Sequence, residues 1–323
     1  MASLTTIGNE LYTGERSLPV VPKRKFWLAI AAGILILLAL GTVLRGGFVF
    51  GIEFTGGSEF RVSGLQQSSV EGAAEAVESV VPDSEARVAT LGADTVRVQT
   101  DAVTEEQAAE IRAALAETYG VETGEVALSF VGPSWGQDVT RQSLQALVTF
   151  LVLVSIVLAV YFRTWKMSVA ALASLAFDLL VTAGVYGIIG FEVTPAAVIG
   201  FLTILGYSLY DTVVVFDKVR ENTAPGTSGG LLDNINLAVN QTIVRSINTS
   251  IVATLPIASI LFIGALLLGA GTLRDISLAL FIGTIVGTWS SIFVAAPVYA
   301  WLRQGDTIAA EAIKPQRERG AVV

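Results

Sequence analysis

The stretch FWLAIAAGILILLALGTVL, Phe26 to Leu44, contains no charged residue and follows directly on the basic run 23–25. Its length approaches the roughly 20 residues that a helix needs to cross the hydrocarbon core of a bilayer. Basic residues before an apolar run are also typical of a secretory signal peptide, but Arg45-Gly46-Gly47 is a poor small-x-small cleavage site. We therefore interpret residues 26–46 as a retained transmembrane helix.

Further apolar runs follow a long polar stretch, and each is long enough to span a membrane. They are Ser143–Phe162, Met167–Phe191, about Pro195–Phe216, Ser246–Gly271 and Ile276–Leu302. The composition agrees, because 53% hydrophobic residues, 15% charged residues and a mean hydropathy of +0.66 exceed what a soluble core can hide. The sequence predicts an α-helical polytopic membrane protein with six transmembrane helices.

The orientation is predicted from the basic residues of the short loops and tails, since these are retained in the cytoplasm. With the N-terminus inside, thirteen Lys and Arg lie inside and two, Arg45 and Arg274, lie in short outside segments. We therefore predict a protein of the cytoplasmic (inner) membrane with cytoplasmic tails at 1–25 and 303–323. Residues 139–302 then hold helices two to six and a cytoplasmic loop at about 218–245, in which Leu231–Ile243 is predicted to lie along the membrane surface as an amphipathic segment.

Residues 47–138 are predicted to form an extracytoplasmic domain between the first two transmembrane helices. Alternating apolar and polar residues indicate strands at Ser58–Val62, Arg87–Thr90, Thr95–Gln99 and Val126–Val131. Capping-box patterns at Ser68 with Glu71 and at Thr104 with Gln107 indicate two helices. The resulting order, β-α-β-β-α-β, is typical of an α+β ferredoxin-like fold.

The predicted outer domain is strongly acidic, with sixteen Asp and Glu against four Arg. Such a surface repels nucleic acid and anionic lipid, so we expect no nucleic-acid partner. The acidic surface either only keeps the domain soluble or favours passing polypeptides of a particular charge. The chain has no cysteine and no histidine, which removes disulfides, thiolate sites and the usual metal ligand, and we expect neither a cofactor nor a metal site.

Three charged residues inside or beside the apolar runs are candidates for proton coupling, because a charge in hydrocarbon is costly. Asp211 lies in the cytoplasmic half of the fourth run, and Arg245 opens the fifth on the same side. Burial favours a neutral carboxyl and a nearby guanidinium favours an ionised one, so this pair would be poised between two states. The alternatives are a fixed ion pair, or an Arg245 that reaches the lipid phosphates. Asp178, near the middle of the third run, is the weaker candidate, since it can equally be a hydrogen-bonding contact between helices.

The chain resembles the SecF family of the Sec translocon accessory complex, within the resistance-nodulation-division superfamily, over nearly its full length. The resemblance rests on the motifs Gly51-Ile52-Glu53-Phe54-Thr55-Gly56-Gly57, Val131-Gly132-Pro133 with Gly136, Gly206–Asp217 with Arg220-Glu221-Asn222, Asn240-Gln241-Thr242 with Arg245, Thr249-Ser250, and Gly287–Phe293. By this resemblance Gly51, Glu53, Gly56, Gly57, Gly132 and Pro133 are structural motif residues. It also implies that Asp211 and Arg245 are the membrane charges associated with proton use.

Some positions depart from the family pattern. Glu53 stands where the family usually has Asp, Tyr210 where Asn is common, and Phe177 where His is often found before Asp178. The last departure weakens a proton path through the third helix. The Asp211–Arg245 pair is unchanged.

The resemblance implies a transport accessory protein that promotes proton-motive-force-dependent translocation of exported precursor polypeptides. Transporters of this superfamily pair two six-helix halves, so one chain with six helices is expected to need a partner half. The implied partner is SecD, and the pair would work with the SecYEG channel. A half of a small-molecule or lipid exporter is one alternative. An intramembrane aspartyl protease is another, although the second Gly-x-Gly-Asp motif that it requires is absent.

Overall fold

The computed structural model describes residues 4–65, 70, 72–82, 86–91, 94–162, 164–224, 227, 229–267 and 271–306. In chain order the elements are α1 (Leu4–Thr13), α2 (Arg24–Leu44), β1 (Val49–Phe50), α3 (Ile52–Thr55), β2 (Gly57–Val62), α4 (Ala73–Glu78), β3 (Arg87–Leu91), β4 (Thr95–Thr100), α5 (Glu105–Tyr119), β5 (Val126–Val131), α6 (Pro133–Phe162), α7 (Trp165–Ile189), β6 (Glu192–Val193), α8 (Pro195–Asn222), α9 (Leu231–Ser259), α10 (Gly271–Ser290) and α11 (Ala296–Leu302). Turns of π-helix at Ile260–Leu267 and Ser291–Ala295 extend α9 and join α10 to α11.

Within the described residues, six helices are long and apolar enough to cross a membrane, which confirms the six predicted spans. They are α2, α6, α7, α8, α9 with its π turn, and the continuous segment from α10 to α11. The spans α7, α8 and α10–α11 are much more buried than α2, α6 and α9. The first group therefore forms the centre of the bundle, and the second leaves broad apolar faces open.

Helices α6 and α9 begin well before their apolar runs. Helix α6 begins at Pro133, ten residues before the run Ser143–Phe162, because the polar residues between them continue the helix. The prediction of a separate surface segment at Leu231–Ile243 is wrong, since α9 runs unbroken through it. Ile235 and Val239 of this segment are fully buried in the helical core, so its apolar face packs against protein rather than lying on a membrane surface.

The N-terminal segment is bound to α9 by asparagine side chains. The Asn240 amide accepts a hydrogen bond from the Leu18 backbone N–H at 2.7 Å and donates one to the Leu18 carbonyl at 3.1 Å. Asn236 accepts from the Val21 N–H at 3.0 Å. These bonds satisfy polar groups that would otherwise be buried without partners, and they hold residues before the first span against the fifth. The sequence did not predict α1.

A four-stranded antiparallel sheet with the order β3-β4-β2-β5 forms the polar region between α2 and α6. Helices α4 and α5 pack on it around a core that includes Phe60, Ile111 and Leu115, all fully buried. The capping box of Thr104 with Gln107 is present at the start of α5, as predicted. Ser68 and Glu71 of the other predicted capping box lie outside the described residues. We call residues 52–131 the α+β unit.

The α+β unit is joined to the helical bundle at two places. Strand β1 pairs in parallel with β6 of the α7–α8 connection, Val49 opposite Glu192 and Phe50 opposite Val193. On the other side, α3 packs against the start of α6. The unit therefore sits over the ends of α7 and α8 where these meet.

Candidate functional site

Asp211 lies on the inward side of α8 and is only 3% exposed. Its Oδ2 atom is buried and has no hydrogen-bond partner among the residues that the structure describes. Nearby on the same turn, Thr212 is fully buried and its hydroxyl also lacks a partner, as does the buried Ser246 hydroxyl of α9. A buried carboxylate without a partner is costly, so this position favours either a proton on Asp211 or a cation beside it.

Arg245 lies on α9, which packs against α8, but its guanidinium does not bind Asp211. Its Nη2 atom makes a long hydrogen bond of 3.5 Å to the Tyr210 hydroxyl instead. The structure therefore brings the two charges onto adjoining helices, and the fixed ion pair that was one of the alternatives is not formed. Arg245 is exposed, and Tyr210 is 53% exposed.

Polar side chains continue along the contact between α8 and α9. One turn before Tyr210, the Tyr207 hydroxyl donates to the backbone carbonyl of Thr249 at 3.3 Å. We call Tyr207, Tyr210, Arg245 and Thr249 the polar seam. The seam borders the open side of α9, and it lies at the same level along α8 as the buried Asp211. It forms a polar surface on a membrane-spanning helix pair, which is an arrangement that needs another protein or water beside it.

Asp178 lies on α7 and is completely enclosed. The Ser208 hydroxyl of α8 donates a short hydrogen bond to its Oδ2, while its Oδ1 has no partner. A second hydroxyl contact, Ser174 to Ser290 at 3.0 Å, lies one turn away on α7 and joins it to α10. Asp178 thus belongs to a hydroxyl cluster between three helices, which we call the Asp178 cluster.

Glycines let α10 approach α8 closely enough to close this cluster. A β-carbon at Gly287 would lie 2.8 Å from the β-carbon of Ser208, and one at Gly283 would overlap Ile204. The face of α10 that carries Gly283 and Gly287 is therefore its contact with α8. The hydroxyl groups of Ser174, Ser208 and Ser290 were not predicted as part of a site, although their position in otherwise apolar runs is a signal.

The glycine motifs connect the α+β unit to α6. Gly51 and Gly56 flank α3, which carries Glu53, and Gly57 opens β2 with φ +139°, where an added β-carbon would lie 2.5 Å from the Thr100 carbonyl oxygen. Gly132 precedes α6, and Pro133 is its first residue. A β-carbon at Gly136 would lie 2.6 Å from the Phe54 carbonyl oxygen, so the first turn of α6 rests on the backbone of α3. These motif residues build the connection between the unit and the bundle.

The chain is similar to proteins of the export machinery. The family described as protein export membrane protein SecD/SecF, C-terminal, matches residues 110–305. Among curated relatives, the protein translocase subunit SecF of Streptomyces coelicolor is 42% identical over 95% of this chain and 82% of the relative. That of Mycobacterium tuberculosis is 41% identical over 92% of this chain and 69% of the relative.

Fused relatives are also similar. The protein translocase subunit SecDF of Thermus thermophilus is 32% identical over 85% of this chain and 37% of its own length. The crystal structure of SecDF from Thermus thermophilus matches with a TM-score of 0.78 and 28% identity, over 90% of this chain and 39% of that chain. This chain thus corresponds to somewhat more than a third of the fused protein.

Proposed function

The chain belongs to the SecD/SecF family of protein-export membrane proteins and is a SecF-type subunit of the protein-translocation machinery, and we propose that it supplies one six-helix half of a proton-driven SecDF assembly. Its relatives are named as translocase subunits rather than enzymes. The fused relative carries the name SecDF in one chain, of which this chain matches little more than a third. This supports SecD as the partner of the proposed assembly, with the SecYEG translocon and exported precursors as further partners.

We propose the cytoplasmic membrane as the location, with both termini in the cytoplasm and the α+β unit, as a ferredoxin-like domain, on the opposite side. The count of basic residues supports this orientation, with thirteen in the proposed inside segments and two in the short outside ones. The strand order β3-β4-β2-β5 supports the ferredoxin-like assignment. In this orientation the unit stands where a precursor emerges from the channel.

The observation that carries the proton-driven mechanism is the separation of Asp211 from Arg245. Arg245 bonds to Tyr210 while a buried Asp211 oxygen has no partner. In the proposed cycle, a proton on Asp211 leaves Arg245 free to bond along the polar seam. Loss of the proton creates a buried negative charge that draws Arg245 inward, because the attraction between the two charges is strong where water is excluded. The seam lies between α8 and α9, so this exchange shifts one helix against the other. Asp178 is the weaker candidate for a second proton position.

The experiment that tests the mechanism replaces Asp211 by Asn, which keeps the shape of the side chain and removes its charge change. Assembly is checked by copurification with SecD and SecYEG, and export is measured in membrane vesicles with and without a proton gradient. We expect normal assembly and export reduced to the level found without a gradient. Unimpaired gradient-dependent export would refute the role of Asp211.

The matched control is Asp217→Asn, which removes a carboxylate from the same helix. Asp217 is half exposed, accepts a hydrogen bond from the Tyr161 hydroxyl at 2.6 Å and pairs with Arg220 at 3.6 Å. We expect this variant to export normally, since an exposed ion pair of this kind contributes little. The same copurification tests the alternative function. If the parent chain copurified with neither SecD nor SecYEG, that result would support an exporter of small molecules or lipids.

A further inference from the structure

A large polar cavity lies where the α+β unit meets the ends of α7, α8 and α10. Its volume is about 990 Å³. The β1–β6 pair closes one side, and the Gly51 backbone N–H extends this pairing by donating to the Val193 carbonyl at 3.0 Å. The cavity contains eight charged groups, contributed by both the unit and the bundle: Glu53, Glu59, Arg61, Arg87, Arg97, Glu192, Arg274 and Asp275.

Among the described residues, one ion pair crosses this junction. Arg97 Nη2 of β4 lies 2.5 Å from Glu192 Oε2 of β6, and the two side chains are 18% and 8% exposed. The contact is held by charge rather than by an aligned hydrogen bond, since Glu192 Oε1 and Oε2 are both buried without a hydrogen-bond partner. Removing one member of a pair this buried would leave the other charge buried without a partner, so the pair ties the unit to the bundle as long as both charges persist.

Most other charged groups at the junction already have partners. Glu59 accepts from Arg61 at 2.8 Å and from Gln99 at 3.0 Å, both within the unit. On the bundle side, Asp275 accepts from the Thr194 hydroxyl at 2.8 Å. Arg274 lies over the Phe191 ring at 5.8 Å, and Arg87 is exposed.

Among the described residues, Glu53 is the carboxyl group of this junction that has neither an ion pair nor a hydrogen bond to another side chain. Its Oε2 atom is buried without a hydrogen-bond partner. Burial raises the pKa of Glu53, a hydrogen bond to its own backbone N–H partly offsets this rise, and the charges of Glu192 and Glu59 add to it while Arg97 opposes it. When protonated, Glu53 gains a hydrogen-bond donor, and Glu192 Oε1, which belongs to the lining of the same cavity, is an acceptor without a partner among the described residues.

We propose that the junction is a latch operated by a proton on Glu53, which fastens the α+β unit to the bundle when Glu53 is neutral and loosens it when Glu53 is ionised. The ionised side chain competes with Glu192 for Arg97 and is itself driven towards water by the cost of burial. The latch is separate from Asp211, although its meaning for export rests on the proposed function and on the unit lying outside the membrane.

The direction of the pH effect follows from linkage. A carboxyl whose pKa is raised in the fastened state binds its proton more tightly there than when exposed, so protons stabilise the fastened state. The stabilisation is present at low pH and is lost as pH rises through the raised pKa of Glu53. An acidic outer compartment would therefore favour the state in which the unit is fastened to the bundle, and a less acidic compartment would favour the loosened state.

The latch can be measured directly because the chain contains no native cysteine. Thr118→Cys on α5 and Leu273→Cys on α10 place two spin labels at exposed positions, one on the unit and one on the bundle. Distances between the labels are recorded by double electron-electron resonance in nanodiscs, with the same pH on both faces, across the range in which carboxyl groups titrate. We expect one short distance at low pH and a growing longer population as pH rises.

Variants at the junction sharpen the test. We expect Glu53→Gln to keep the short distance at every pH and Glu53→Asp to retain the titration. Arg97→Gln should show the longer distance at every pH. If circular dichroism shows that Arg97→Gln unfolds, the variant Arg97→Lys is measured in its place. The control Glu78→Gln, an exposed acid on α4, should titrate like the parent.

A distance distribution that does not change with pH, or an unchanged titration in Glu53→Gln, would overturn the latch. Neither result bears on Asp211, because the distances are measured without export. Conversely, normal gradient-dependent export by Asp211→Asn would refute the proposed mechanism and leave the latch standing.

Discussion

Asp178 and Asp211 are both buried carboxylates in membrane-spanning helices, yet their surroundings differ. Asp178 is enclosed on all sides and receives its hydrogen bond from Ser208, another residue of this chain. Asp211 lies close to the polar seam, where Arg245 and the half-exposed Tyr210 border an open face. The surroundings of Asp178 are complete within this chain, whereas Asp211 lies beside an exposed face of the helix bundle.

This difference indicates which charge can respond to a partner or to water. A carboxyl that is enclosed and hydrogen-bonded by its own chain contributes to packing and changes protonation only if the helices part. A carboxyl beside an exposed guanidinium can exchange partners without unpacking the bundle. Substitutions in the Asp178 cluster should therefore act on stability, and substitutions of Asp211 or Arg245 should act on export.

The largest expected effect on stability is that of Asp178→Ala. This change leaves the buried Ser208 hydroxyl without its acceptor and opens a cavity, and together these should lower the free energy of unfolding by about 3 kcal/mol. Unfolding in detergent micelles, followed by circular dichroism, gives the measurement.

The matched variant Asp178→Asn keeps a side-chain oxygen that can accept from Ser208, so we expect a much smaller loss of stability and largely normal export. If Asp178→Asn were stable but abolished gradient-dependent export, the enclosed carboxyl would itself carry protons, and the contrast with Asp211 would fail.

The next effect is that of Ser208→Ala, which removes the donor but leaves the acceptor. Hydrogen bonds between membrane helices contribute about 0.6 kcal/mol on average and up to about 1.7. Because this bond is fully buried, we expect a loss of about 1 kcal/mol in the same unfolding assay. Thr203→Ala is the control, since Thr203 is exposed and bonds only to the Ile199 carbonyl of its own helix. Equal losses in the two variants would show that the Asp178 cluster contributes nothing specific.

Much of this contrast was accessible from the sequence. Long apolar runs fix the spans, and a charge within such a run, as at Asp178 or Asp211, is conspicuous because its insertion is costly. Sequence periodicity also predicted the four strands of the α+β unit, since apolar and polar residues alternate along Phe60 and Val62 and their counterparts.

What the sequence did not predict depends on residues that are far apart along the chain. Nothing local to Asn236 and Asn240 indicates that they bind residues 18–21, which is why this polar stretch of α9 was interpreted as a surface segment. The same holds for Arg97 and Glu192, which meet only when the unit docks on the bundle. Likewise, the register of α8 against α9 decides that Arg245 reaches Tyr210 rather than Asp211.

In the polar seam, Arg245→Gln should change stability little and export greatly. The side chain is exposed and makes one long hydrogen bond, so its removal should alter the free energy of unfolding by about 0.5 kcal/mol or less. Export with a proton gradient should fall to the level without one, because Asp211 loses its positive partner. Arg220→Gln, at an exposed arginine near the end of α8, is the control and should export normally. A large loss of stability in Arg245→Gln with normal export would reverse the assignment of the two sites.

The smallest expected effect is that of Tyr210→Phe, which removes only the hydroxyl that Arg245 contacts. At 3.5 Å this hydrogen bond is weak, and the exposed hydroxyl can be replaced by water or by a partner group. Stability and export should both stay within error of the parent, and Tyr210→Asn, which introduces the residue common at this position in the family, should also support export. If Tyr210→Phe abolished export while Tyr210→Asn did not, a polar group at position 210 would be part of the exchange. The hydrogen bond from Arg245 to the side chain at position 210 would then be required for export.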